Sequence, residues 1–244
     1  MIILLSPSKT QDFNPLPKTY PHNIPYFLQE TEQLIKKYRK YSIAQLRQKM
    51  KISENLAILN QQRYQDFHTP LTPKNSKQAI FAFQGDVYTD LHPEKYTPAQ
   101  LQYLQDHLRI ISGLYGLLRP FDLIQPYRLE MKYEAPFWTN KLHQALNQDT
   151  TPETPIINLA SNEYSKPLLT PKIKGQIISP VFKEKKDDTY KLIAIYAKKA
   201  RGTMAEYIIT NQLQNPEQIK NFNLDGYTYN PKLSKPHTPT FTRG

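Results

Sequence analysis

Short apolar runs of buried-strand type recur along this chain and limit what it can fold into: Ile2–Leu5, Arg109–Ser112, Ile156–Leu159, Ile177–Phe182 and Tyr190–Tyr196. Each is brief, and the first closes at Ser6-Pro7, so they read as strands rather than helices. Stretches with helical spacing lie among them. Phe27–Tyr41 carries Leu28, Thr31, Leu34, Ile35 and Tyr38 on one face. Ser42 with Gln45 makes a capping-box pattern that opens a short helix to Met50. Ser53 caps a helix over Glu54–Phe67, with Leu56, Leu59 and Tyr64 as its expected core contacts. Thr97-Pro98 with Gln100 is another start signal, continued by Leu101, Leu104 and Leu108. Met204–Leu213 reads as a further helix. Strands and helices mix without regular βα alternation. The expectation is an α+β single domain, a mixed central sheet with surrounding helices, including a helix-hairpin-helix-like pair near residues 43–67. The domain is expected over residues 1–229. Residues 230–244 form a Pro-rich basic C-terminal tail, either free or strapped over the body.

Composition removes several chemistries. Glycine is scarce at 7, which argues against a glycine-rich nucleotide loop, and 21 prolines favour long, defined connections. There is no cysteine, so disulfides, thiolate zinc sites, iron–sulfur clusters and thiol peroxidase chemistry are excluded. The histidines are scattered, with no His-x-x-x-His, so neither a metal site nor a cofactor is expected. The N-terminus lacks a basic leader region, and no apolar run approaches the roughly 20 residues of a membrane span. A cytoplasmic protein that does not enter a membrane is expected. Lys+Arg number 32 against 21 Asp+Glu, a formal net charge of +11, so the favoured partner is a polyanion. Nucleic acid comes first, a nucleotide or other phosphorylated small molecule second.

The densest cation cluster is Lys198, Lys199 and Arg201, directly after the apolar Leu192–Ile195, with Ala197, Ala200 and Gly202 keeping its surroundings small. A second charged segment, Ser112–Met131, holds Arg119, Asp122, Arg128 and Glu130. Arg128 and Glu130 are two apart, so in extended chain they point the same way. Arg119 has the fork geometry to grip a phosphate, the alternative being an internal pair with Asp122. Ser8, Lys9 and Thr10 follow the first strand as a candidate anion site without P-loop glycines. Asn158, Ser161 and Glu163 follow a later apolar run, and Asp86 sits in the turn Gly85–Tyr88. The helix pair, with Lys49, Lys51 and Arg63, could set backbone amides against a DNA phosphate.

These groups lie beyond apolar runs, so they are expected to converge where strands end: Lys9, Arg119, Arg128, Lys198, Lys199 and Arg201, with Asp86, Glu130, Asn158 and Glu163 among them. Two functions fit. One is binding of duplex or structured DNA without strong sequence preference. The other is an enzyme acting on a nucleotide or other phosphorylated small molecule, in which Asp86, Glu130 or Glu163 serve as acid/base groups or hold hydrated Mg²⁺.

Six segments together resemble the YaaA family of peroxide stress resistance proteins. They are Ile3–Thr10, Ala82–Tyr88, Leu108–Met131, Ile157–Tyr164, Tyr196–Gly202 and Phe222–Tyr227, and they run nearly the length of the chain. The resemblance implies a single-domain cytosolic protein with a basic cleft, a DNA-binding role and a part in limiting damage from hydrogen peroxide and unincorporated iron. It also implies a helix-hairpin-helix element, which maps to Leu46–Phe67. With no cysteine and no clustered metal ligands, the expected role in peroxide resistance is indirect, through shielding or repair of DNA.

Overall fold

Ile2–Leu5 forms strand β1, and all of its residues are buried. A strand apolar on both faces has to be covered on both, which places β1 inside the main sheet. In the computed structural model, which describes residues 1–244, the chain continues through β2 (Thr10–Gln11), α1 (Leu28–Tyr38), α2 (Ile43–Met50) and α3 (Glu54–Asp66). Then come β3 (Lys77–Gln78), α4 (Ala79–Ala82) and β4 (Phe83–Gln84). Helix α5 (Pro98–His107) leads straight into β5 (Leu108–Ser112), followed by β6 (Gly116–Leu118), β7 (Leu123–Ile124) and α6 (Ala135–Gln148). The remainder is β8 (Pro155–Asn158), α7 (Asn162–Ser165), β9 (Gln176–Ile178), β10 (Val181–Lys186), β11 (Thr189–Lys191), α8 (Ala194–Thr210), β12 (Thr228–Tyr229) and β13 (Thr240–Arg243).

The main sheet has the order β6-β5-β1-β8-β9. β5, β1, β8 and β9 run parallel, and β6 returns antiparallel to β5. From β1 the chain moves to one side to build β5, then crosses to the other side for β8 and β9. That reversal opens a crevice at the carboxyl ends of β1 and β8, where open sheets of this kind bind ligands. Helices α1 and α6 cover the β6 side. Trp138 Nε1 donates to the Gly113 carbonyl at 2.8 Å, and Thr31 Oγ1 donates to that of Leu114 at 3.1 Å. Gly116 has φ +73°, and a Cβ there would lie 2.6 Å from Trp138 and 2.8 Å from Phe27, so this turn requires glycine. The fold is thus α+β, with a mixed central sheet and helices around it.

Helix starts follow their capping residues. The Ser42/Gln45 and Thr97/Gln100 boxes are both formed, and Ser53 Oγ accepts from the Leu56 N–H. Other expectations need correction. On α3 the buried stripe is Ala57, Asn60 and Tyr64, and Leu56 and Leu59 face solvent. Tyr64 sets this rotation, because its hydroxyl donates to the Arg128 carbonyl. The run Ile177–Phe182 is not one strand: it breaks at Ser179-Pro180, and its halves β9 and β10 join different sheets. The run Tyr190–Tyr196 is not a strand either. β11 ends at Lys191 and α8 begins at Ala194, so Leu192, Ile195 and Tyr196 are exposed. The C-terminal residues are not free: β13 pairs parallel with β10 and antiparallel with β12, and Phe241 is fully buried. No helix is long and apolar enough to cross a membrane.

The α3 orientation makes a direct comparison possible. Leu4→Ala, in the fully buried β1, should cost about 2–5 kcal/mol. Leu59→Ala should stay within about 0.5 kcal/mol of the parent. Urea denaturation of the two variants checks this, and a large loss for Leu59→Ala would restore the core role read from the sequence.

Candidate functional site

The crevice is built from the first turn after β1. Ser6 Oγ accepts from the Ser161 N–H at 2.8 Å and donates to Ser161 Oγ at 3.2 Å, tying the loops after β1 and β8 together. Asn158, the last residue of β8, shapes the same corner. Its Oδ1 accepts from the Ala160 N–H at 3.1 Å, and its Nδ2 donates to Ser179 Oγ at 3.3 Å. Ser8 Oγ accepts from the Thr10 N–H at 3.1 Å, and Thr10 pairs with Gln84 in the β2–β4 ladder. Ser8, Asn158 and Ser161 therefore hold loops, although the Ser8 and Ser161 hydroxyls use only their acceptor side in doing so.

The charged centre is Glu130, 2% exposed. Its Oε1 lies 3.1 Å from Lys9 Nζ and 3.3 Å from Arg128 Nη2. The two-residue spacing of Arg128 and Glu130 works as expected, since both side chains leave an extended segment on one side. Glu130 Oε2 and Arg128 Nε are buried without a hydrogen-bond partner. Arg63 approaches from α3. Burial pulls it below its ordinary value, and the Arg128 charge adds to that; its side chain bonds only to Asn60 Oδ1, at 3.5 Å. Lys9 and Arg128 thus outnumber the single carboxylate they share. Buried tyrosines back the cluster. Tyr127 shares a 2.7 Å hydrogen bond with Ser112, and Tyr88 donates to the Ser6 carbonyl at 2.8 Å. Burial raises the pKa of Tyr64, Tyr88, Tyr127 and Tyr164, so all remain neutral donors. The opening between Lys9, Arg128 and Tyr164 is a narrow slot of about 10 Å³, room for roughly one water. Pockets that enclose a ligand typically reach about 300–1,000 Å³.

Helix α8 is tied to this end of the sheet by a chain of close backbone contacts. Gly202 packs its backbone on the Val87 carbonyl so closely that a Cβ would sit 2.1 Å from that oxygen. The same loop carries Gly85, at φ +103°, against Ser8 Oγ. The small residues of this segment therefore admit the protein's own Gly85–Tyr88 loop rather than an outside partner. Lys198 is exposed, and Lys199 lies 3.6 Å from Asp225. Arg201 is half-buried, and burial lowers its pKa. Asp86 and Glu163 are exposed, and neither lines the slot. The pair α2–α3 abuts the slot through Tyr64 and Arg63. Lys49 folds back over the rings of Tyr38, Tyr41 and Tyr133, at 5.9–6.0 Å, and Lys51 is exposed at the turn between the helices.

Arg119 does not join this group. β6 runs antiparallel to β5 and leaves the sheet at the opposite end, where the Arg119 guanidinium lies 3.6 Å from Asp149. Asp122 accepts from the Arg119 backbone N–H at 2.8 Å instead of pairing with its side chain. Sequence reasoning missed the pairing of Lys9 with Glu130. Nothing local marks it, because it depends on two segments meeting.

Fold and site define an α+β protein with a charged crevice at the switch point of a short parallel sheet. Residues 1–233 match the family model described as peroxide stress protein YaaA, and the chain belongs to that family. A UPF0246 protein of Shewanella sp. strain ANA-3 is 46% identical, covering 100% of this chain and 99% of its own length. One from Acaryochloris marina is 45% identical over 96% of each chain. One from Cellvibrio japonicus is 44% identical, covering 100% of this chain and 98% of its own.

Asp122 offers a pH test. Burial raises its pKa from 3.8 to about 7, against the opposing pull of the Arg119 N–H and of the Arg119 and Arg109 charges. The folded state therefore binds this proton more tightly than the unfolded chain does. The stability it contributes is complete below about pH 4 and is lost as the pH rises toward 7. In Asp122→Asn this component of the pH dependence should vanish. Melting temperatures across that range check it, and parallel curves for parent and variant would contradict it.

Proposed function

We propose that this protein binds DNA without strong sequence preference, along a basic surface running from the Lys9–Arg128 slot past the Gly85–Tyr88 loop to the cations of α8. Its part in peroxide stress follows as indirect limitation of peroxide- and iron-dependent damage to the bound DNA. The observation that carries this reading is the cation excess around one buried carboxylate, in a slot too narrow for a whole nucleotide. The cations at its mouth suit contact with a backbone phosphate, and phosphate contacts dominate nucleic-acid affinity. The α2–α3 pair adds a second contact, with Lys51 exposed at its turn. The net charge of +11 steers a polyanion toward the surface.

A second reading draws on Glu130. Its unpartnered Oε2 suits an acid/base group in an enzyme acting on a nucleotide or other phosphorylated small molecule at the same place.

Fluorescence anisotropy with labelled duplexes of unrelated sequence tests the proposal. Log affinity should fall linearly with log salt, by about 0.9 per phosphate contacted. Replacing Lys198 and Lys199 by alanine should weaken all duplexes alike and make the slope shallower by about one to two units. A flat salt response would refute DNA binding.

Glu130→Gln separates the two readings. It removes a charge that repels phosphate but also holds Lys9 and Arg128, so it should cost about 3 kcal/mol of stability. DNA affinity of the folded variant should be equal or slightly higher. Weaker DNA binding by the folded variant would argue against the slot as a phosphate contact.

A further inference from the structure

At the other end of the parallel strands lies a larger pocket, of about 420 Å³, between β6, the end of α6 and the segment Asn23–Tyr26. We propose that it is a second binding site, for a small ligand of the mononucleotide class: a planar ring bearing N–H donors and carrying one anionic group. The site is independent of the slot and of the DNA-binding reading.

Its floor is fixed. Arg109 is 4% exposed. Its Nε and Nη2 each lie 2.8 Å from Asp149 Oδ2, and its Nη1 donates to the carbonyls of Leu108 at 2.8 Å and Gln105 at 3.2 Å. Arg109 is fully engaged and has no part left for a ligand. It orients Asp149, whose Oδ1 has only Arg119 nearby, at 3.6 Å, too far for a good hydrogen bond.

Arg119 is the opposite case. Its backbone is held by Asp122, while its side chain is 53% exposed. The guanidinium has a donor fork free for two-point contact with a phosphate or carboxylate.

The mouth supplies a stacking surface. Tyr26 is 67% exposed and Ile24 50% exposed, unusual for large apolar side chains this close to a buried charge. The Tyr26 ring is held edge-to-face against Phe27, with centroids 4.8 Å apart, so it offers a pre-oriented face.

The mixture of charges selects the ligand class. A site for bare phosphate gains nothing from Asp149, which repels it. That carboxylate, with the Gln148 amide beside it, suits the N–H groups of a nucleobase. Arg119 then takes the phosphate and Tyr26 stacks on the ring. Beyond Tyr26 and Gln148 the surface continues into a hollow of about 470 Å³ that carries Lys174. Further phosphates of a longer ligand would have room there.

Isothermal titration calorimetry of the full chain tests this with adenosine 5′-monophosphate and guanosine 5′-monophosphate. Adenosine and inorganic phosphate are the controls that each supply one feature. At least one nucleotide should bind, and about tenfold more tightly than either control. Arg119→Ala and Tyr26→Ala, both at exposed side chains, should keep the parent melting temperature. Each should weaken the nucleotide about five- to tenfold or more. Three results would overturn the proposal: no heat from either nucleotide at millimolar concentration, nucleotide binding that both variants leave intact, or inorganic phosphate binding as tightly as the nucleotide.

Discussion

A carboxylate as buried as Glu130 has to be paired, and meeting that demand organises this end of the molecule. Lys9 answers from the loop after β1, and Arg128 from two residues upstream in the same segment. The segment is itself pinned. The Tyr64 hydroxyl binds the Arg128 carbonyl, and Gly113 packs so tightly on the Leu129 carbonyl that a Cβ would sit 2.1 Å from it. The turn after β5, helix α3 and the loop after β1 are therefore fixed relative to one another through this one ion-paired strip. Two cations share the one carboxylate, so the cluster carries surplus positive charge by construction, and Arg63 on α3 lies near enough to feel the Arg128 charge.

The same economy of backbone contact couples α8 to the site. Helix and loop can approach as closely as Gly202 and Val87 do only where one side has no side chain. Thr203 then reaches Asp90 at 2.7 Å and Lys199 reaches Asp225 at 3.6 Å, so the helix is clamped from two loops.

β5 joins the two polar ends of the molecule. Arg109, near its start, lies in the floor of the larger pocket, and Ser112, its last residue, bonds to Tyr127 behind the slot. The strand between them is fully buried, so neither end can shift without disturbing the core. The two ends differ in character. The slot is narrow and cation-rich, whereas the pocket is wider and mixed in charge, with exposed aromatic surface at its mouth.

By itself the sequence determined the fold class, the central buried strand and the helix starts at Ser42, Ser53 and Thr97. These depend on local periodicity and on hydrogen bonds that span a few residues. It also determined that Arg128 and Glu130 share a side, because alternation is a property of extended backbone. The tertiary structure decided the rest. It turned Leu56 and Leu59 outward, since a helix face is chosen by what Tyr64 can reach across the fold. It made Leu192–Ile195 the approach to a helix rather than a strand, since an apolar run that short fits either until the neighbouring hairpin closes. It sent Arg119 to the far end of the sheet through the antiparallel return of β6, and it brought Lys9 to Glu130. Which charges meet is a question of long-range packing, and the spacing of residues along the chain carries no record of it.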